Sequence, residues 1–215
     1  MKPKLQLALD LTDLDQALAI AENVNDNVDI LEIGTILAIE SGLDSIREIH
    51  KLLPNVKLLG DIRIIKAGGK LASMVYDAGA DIVTIISDST NETFEAVVKE
   101  KDKVEGREVL IEINDGYTEE QLANWKEYGL THLIFHRGSE ITATNENWNE
   151  KDFAEIRDLH NKGFKVYVTG GIGIEEISYF EGVPVECFII GRTISQAADP
   201  LKAAQDFQQE INKYF

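Results

Sequence analysis

Residues 28–34 read Val28-Asp29-Ile30-Leu31-Glu32-Ile33-Gly34, and the way this stretch is apolar decides the fold class. Ile30, Leu31 and Ile33 lack the alternation of a strand with one wet face. Such a run suits a parallel strand covered on both sides. Outward from it the same kind of run recurs, at residues 5–10 on one side and at 56–63, 81–87, 108–114, 132–137, 165–171 and 187–192 on the other. These predict eight strands.

The segments between the runs carry a helical pattern. Leu43, Ile46, Ile49, Leu52 and Leu53 repeat at helical spacing. Thr118-Glu119-Glu120-Gln121 is a capping-box sequence, predicting a helix that ends near Gly129. Asp199-Pro200 predicts the start of the last helix, with proline in its first turn. Eight strands alternating with about eight helices predict an α/β fold, a single (β/α)8 TIM barrel domain over residues 1–215. An open, doubly wound sheet would show a glycine-rich turn after its first strand. Here that turn is Asp10-Leu11-Thr12-Asp13.

Composition narrows the partners. Hydrophobic residues make up 44% and charged residues 27%, as in a soluble globular protein. A net charge of -17 argues against nucleic acid and against an anionic membrane surface, since both need clustered Lys and Arg. A small anion needs only one local cationic site. The one cysteine, Cys187, lies in the apolar run Cys187-Phe188-Ile189-Ile190 and is expected as a buried thiol. With no intrachain disulfide possible, the cytoplasm is the expected compartment. The apolar stretch before Asp10 is too short for a signal peptide, and no run reaches the length of a membrane span.

In such barrels chemistry sits where strands end, and these ends are polar. Asp10 closes strand 1 and Glu32 lies in strand 2. Asp61 and Arg63 close strand 3, Glu112 lies in strand 5, and His136 and Arg137 close strand 6. A single such carboxylate is readily a structural ion pair. Four of them at one mouth repel one another, and a divalent cation relieves that. Glu32 and Asp61, hard oxygen donors on neighbouring strands, suit Mg2+. Thr169-Gly170-Gly171-Ile172 after strand 7, with Ile190-Gly191-Arg192 after strand 8, predicts a phosphate site of backbone N–H groups and one guanidinium. His136, beside Arg137 at a strand end, is a candidate for acid–base or hydrogen-bonding work. His50, His132 and His160 are expected to be structural, and Met74 and Trp125 to pack in the core or at an interface. Gly68-Gly69-Lys70 lacks the spacing of a P-loop, there is no Gly-x-Ser-x-Gly, and one cysteine cannot make a paired-cysteine zinc site.

Leu7-Ala8-Leu9-Asp10, residues 28–35, Phe135-His136-Arg137, Val168-Thr169-Gly170-Gly171-Ile172 and Ile189-Ile190-Gly191-Arg192 together resemble the 3-keto-L-gulonate-6-phosphate decarboxylase group of the orotidine-monophosphate decarboxylase suprafamily. Hexulose-6-phosphate synthase is the sister group. The resemblance runs over nearly the whole chain, including Ala197-Ala198-Asp199-Pro200. It implies a barrel of the ribulose-phosphate-binding type and a homodimer with active sites at the interface. It implies Mg2+ held by Glu32 and Asp61, and sugar phosphate held by Gly170, Gly171, Gly191 and Arg192. Asp10 and Arg137 would join the substrate site, and Glu112, His136 and Thr169 would face the reacting end. The implied reaction is loss of CO2 from a phosphorylated β-keto sugar acid through an enediolate, then protonation, a step of L-ascorbate catabolism.

The strand-3 motif departs from the group. Where the group has Asp-x-Lys-x-x-Asp, this chain has Asp61-Ile62-Arg63-Ile64-Ile65-Lys66. Ser139 stands where the decarboxylases have arginine. Arg63 keeps a positive charge that stabilises a developing enediolate, but its pKa is too high to shuttle a proton. Lys66 either reaches in to replace the missing lysine or reverses a charge sent towards the partner subunit. The departures leave open a hexulose-6-phosphate synthase-like aldolase, and a sugar-phosphate-binding homologue with impaired catalysis.

Overall fold

The computed structural model describes residues 2–114, 116–137 and 147–215. Eight strands form: β1 (Lys4–Leu9), β2 (Ile30–Ile33), β3 (Lys57–Ile64), β4 (Ile82–Ile86), β5 (Glu108–Ile113), β6 (His132–His136), β7 (Lys165–Thr169) and β8 (Val185–Ile190). Each pairs in parallel with its sequence neighbours, and β1 pairs with β8, so the predicted barrel closes. Around it lie α1 (Leu14–Val24), α2 (Thr35–Ser41), α3 (Asp44–Leu52), α4 (Gly68–Asp77), α5 (Asn91–Lys101), α6 (Glu119–Glu127), α7 (Glu150–Asn161), α8 (Arg192–Ser195) and α9 (Pro200–Tyr214). A 3-10 helix, Glu175–Phe180, bridges β7 and β8. No helix among the described residues is long and apolar enough to cross a membrane.

The strands sort their side chains with period two. Leu31, Ile33, Val83, Ile85, Val109 and Ile111 pack outward into the layer under the helices. Ala8, Ile30, Leu59, Ile82, Leu110, Ile134, Tyr167, Cys187 and Ile189 fill the barrel interior. Below that filling, at the amino-terminal ends of the strands, Lys4 pairs with Glu186 at 3.2 Å and Lys57 pairs with Glu108. Above it, period two turns Glu32, Asp61, Thr84, Glu112, His136 and Thr169 towards the opposite mouth. The buried floor therefore separates two polar ends, and the carboxyl-terminal one brings Glu32, Asp61 and Glu112 to a single cavity.

The local signals act as expected. Thr118 and Gln121 form a complete capping box, and Asp199 caps α9 with Pro200 in its first turn. The strand bounds differ from the expected runs by one or two residues, and Asp10, Arg137, Gly170, Gly171, Gly191 and Arg192 lie just past the strands rather than in them. β8 begins at Val185, because Glu186 interrupts the apolar run while its charge is satisfied by Lys4. A separate α2 precedes α3, broken at Gly42, whose φ of 59° lies in the left-handed region.

One irregularity positions the site. The β3–β4 ladder pairs Gly60 with Val83 and then Ile64 with Ile85. Asp61, Ile62 and Arg63 therefore stand opposite Thr84 alone, a bulge of the kind that re-aims side chains beside active sites. Arg63 takes φ 47° within it. The loop that follows leads into α4, which packs closely on α5. A Cβ on Gly68 would lie 2.5 Å from the Thr93 carbonyl oxygen, whereas one on Gly69 would meet nothing nearer than 3.5 Å.

This contrast predicts a stability difference between adjacent glycines. Gly68→Ala should lower the unfolding free energy by about 1–3 kcal/mol, the usual cost of overpacking. Gly69→Ala should change it by less than about 1 kcal/mol. Urea denaturation of both variants checks this, and equal losses at the two positions would contradict the packing described.

Candidate active site

A cavity of about 500 Å³ opens at the carboxyl-terminal mouth of the barrel. Asp10, Glu32, Asp61, Arg63, Glu112, His136, Arg137, Thr169, Gly170, Gly171, Gly191 and Arg192 all line it. Strands from around the barrel and their following loops thus deliver side chains to one space, as barrel geometry requires.

Glu32 and Asp61 are both buried. Glu32 Oε2 accepts a 2.6 Å hydrogen bond from the amide of Gln6, itself fully buried on β1. Burial, then the neighbouring charge of Asp61, pushes the Glu32 carboxyl well above its ordinary range. Asp61 is likewise raised by burial, against the stabilising bonds that it accepts from two hydroxyls. Thr84 donates to Oδ1 and Thr35 to Oδ2, each at 2.7 Å.

Arg63 is the cation inside this acid cluster. Its Nε lies 3.0 Å from Glu112 Oε2 and 3.4 Å from Asp61 Oδ2. Partial burial opposes its charge, but Asp61, Glu112, Glu32 and Asp10 more than offset that and raise its already high pKa. Arg63 is therefore a fixed positive charge. The other oxygen of Glu112 lies 2.7 Å from His136 Nδ1. Glu112 thus binds a guanidinium with one oxygen and orients an imidazole with the other.

Across the mouth the loops after β7 and β8 form a second, less acidic wall. Gly170 and Gly171 have φ of 111° and 64°. A Cβ on Gly170 would fall 2.2 Å from the Arg137 carbonyl oxygen, so only glycine fits there. The Thr193 hydroxyl donates to the Ile172 carbonyl at 3.3 Å, joining the two loops. Thr169 donates to the Ile189 carbonyl at 3.2 Å. Arg192 is exposed and pairs with no carboxylate among the described residues.

Two sequence-predicted residues stand apart. Lys66 is exposed in the β3–α4 loop and does not line the cavity of its own chain. Arg137 borders the cavity, but its guanidinium sits over the Trp148 ring at 5.1 Å and its Nε lies 3.8 Å from Asp152. Ser139 lies outside the described residues. Gln6, Thr35 and Thr84 are functional neighbours that composition and motif do not single out. For Gln6 and Thr84 the available signal is a polar residue at an inward position of an aliphatic strand.

Among the described residues no three His, Cys, Asp or Glu side chains gather where they could hold a metal. Glu32 and Asp61 fit the smaller donor set that Mg2+ takes, a few carboxylates completed by water and substrate oxygens. Glu32 Oε1 carries no hydrogen bond among the described residues and Asp61 Oδ1 carries one, so both have lone pairs to give. Cys187 is no candidate. It is buried in the barrel interior, and burial pushes its thiol well above the ordinary range.

The orotidine 5'-phosphate decarboxylase / HUMPS family model matches residues 3–207. The chain belongs to that family. Within it, the chain is 36% identical over 214 residues to a probable 3-keto-L-gulonate-6-phosphate decarboxylase from Mycoplasma pneumoniae, covering 99% of this chain and 98% of that one. A crystal structure of KGPDC from Streptococcus mutans superposes with a TM-score of 0.96 at 32% identity over the full length of both chains. A 3-hexulose-6-phosphate synthase from Salmonella typhimurium gives 0.88 at 27% identity, covering 99% of this chain and 100% of that one.

The acid cluster has a pH signature in chelator-treated protein. A carboxyl whose folded pKa lies above its unfolded one binds its proton more tightly when folded, so stability falls as pH rises between the two values. For Glu32 that window starts at its ordinary value of 4.5 and extends well above it. Glu32→Gln should therefore raise the Tm at about pH 8, with the gain fading as pH falls through the window. Thermal denaturation across pH checks this, and a variant less stable than the parent at the alkaline end would contradict the electrostatic description.

Proposed function

We propose that the chain is a carboxy-lyase that removes CO2 from 3-keto-L-gulonate 6-phosphate to give L-xylulose 5-phosphate, working with Mg2+ in a homodimer. The observation that carries this is the division of the mouth. One wall is an acid cluster with a fixed cation at its centre and an oriented imidazole beside it. The other wall is a glycine loop pair with an uncommitted Arg192. The names of the relatives point to the same substrate.

Arg192 and the amides at Gly170, Gly171 and Gly191 receive the phosphate, where a charge-assisted donor adds to backbone N–H groups. The carboxylate end then faces the acid cluster. Glu32 and Asp61 would hold Mg2+, which would supply positive charge to polarise substrate oxygens. As the carbon–carbon bond breaks, CO2 leaves and its electron pair passes to the neighbouring keto group as an enediolate. Arg63 stabilises that charge without moving a proton. His136, held by Glu112, gives a proton to the carbon that lost CO2 and regains one from solvent.

The homodimer is supported by exposed aliphatic side chains beside the mouth. Ile36 and Ile39 on α2 are 50% and 79% exposed, and Ile65 in the β3–α4 loop is 50% exposed. A second copy covering this side would bury them and bring the adjoining Lys66 against the partner.

The test is CO2 release by purified protein supplied with 3-keto-L-gulonate 6-phosphate and Mg2+. Release is expected, and exhaustive chelation should abolish it. No release with any divalent metal would contradict the proposal. Consumption of formaldehyde with a pentulose phosphate in its place would assign aldol chemistry of the hexulose-6-phosphate synthase kind.

A further inference from the structure

The hydroxyl of Thr84, behind the cavity wall, joins two members of the acid cluster. It donates to Asp61 Oδ1 at 2.7 Å and accepts from the Arg63 backbone N–H at 3.0 Å. The side chain is fully buried. It stands alone opposite the three-residue bulge of β3, where the regular ladder lapses between Gly60 and Ile64. The Arg63 amide, out of the regular ladder, needs an acceptor, and the buried Asp61 carboxylate needs donors. One hydroxyl serves both, and its donor and acceptor roles are fixed by what it faces. Arg63 holds a left-handed conformation without being glycine, so the bulge has to be held from outside.

We infer that Thr84 is a positioning residue: through one hydroxyl it sets both the carboxylate of Asp61 and the backbone of Arg63, and so places anion and cation in register for the reaction. This rests on the decarboxylase function proposed above. It adds a residue on β4, the strand that contributes no cavity-lining side chain among the described residues. Removing the hydroxyl leaves Asp61 held at Oδ2 alone, by Thr35 and Arg63, lets the bulge relax, and leaves the phosphate wall untouched.

Thr84→Val keeps the shape and removes the hydroxyl, whereas Thr84→Ser keeps the hydroxyl. Two quantities are measured on the full chain: kcat and KM for CO2 release, and the affinity for Mn2+ alone by electron paramagnetic resonance. For Thr84→Val, Mn2+ binding should weaken by about 10–100-fold, as for other partners of metal-holding carboxylates. Its kcat should fall at least about tenfold with KM within about threefold, since the phosphate is held elsewhere. Thr84→Ser should stay within about threefold on every measure.

A folded Thr84→Val with unchanged kcat and Mn2+ affinity would overturn the inference, and so would equal losses in the two variants, which would point to packing. Should Thr84→Val fail to fold, Thr84→Cys, a weak donor of similar size, is compared with Thr84→Ser on the same criteria. Mn2+ binding without CO2 release by the unmodified chain would sink the decarboxylase function while the metal comparison still decides on Thr84. Neither binding nor release would sink both.

Discussion

An arginine inside a group of acids is what the mouth of this barrel depends on. Asp10, Glu32, Asp61 and Glu112 face one cavity, and like charges in a partly dry space raise one another's pKa values and favour opening. Arg63, 3.0 Å from Glu112 and 3.4 Å from Asp61, meets part of that demand within the chain. Glu32 makes no ion pair among the described residues, and burial, then the charge of Asp61, raises its pKa. Four carboxylates around one guanidinium are poorly arranged for stability, and in the proposed mechanism that suits them to take up a divalent ion together with an anionic substrate.

The wall opposite follows a different logic. It carries no excess acid among the described residues, its backbone is opened by Gly170 and Gly171, and its arginine is uncommitted. In the proposed mechanism, phosphate recognition and bond breaking thus fall on different strands. Binding energy gathered at the phosphate can hold the reacting carbon against the cluster. The family members similar in structure over their full length span decarboxylase and hexulose-6-phosphate synthase names. A wall that read only phosphate would be compatible with both, which directs the search for discriminating groups to the acid cluster.

Much of this was legible in the sequence, for physical reasons. Burial on both faces removes alternation from parallel strands, so the eight runs stood out. A carboxylate within such a run is conspicuous because its desolvation is costly, which exposed Glu32, Asp61 and Glu112. The bulge at Asp61–Arg63 was not legible. It follows Gly60, a residue that a regular strand also admits, and Arg63 and Ala67 take positive φ where glycine would be expected. Gln6 and Thr84 were hidden because a neutral polar residue in a strand is common, and only the register shows which carboxylate it meets. Lys66 could be placed on a loop but not aimed, since its direction is set by the fold after the bulge and by whatever covers that loop.

The claim that Arg63 is the fixed charge of the reaction is tested most directly by turnover of Arg63→Gln beside Arg63→Lys. Arg63→Gln should lose about 10²–10³-fold in kcat, the scale of removing one preorganised charge-stabilising donor, while Arg63→Lys should retain most of the activity. Full turnover by Arg63→Gln would contradict the account, for it would show that the enediolate forms without the cation at the centre of the acid cluster.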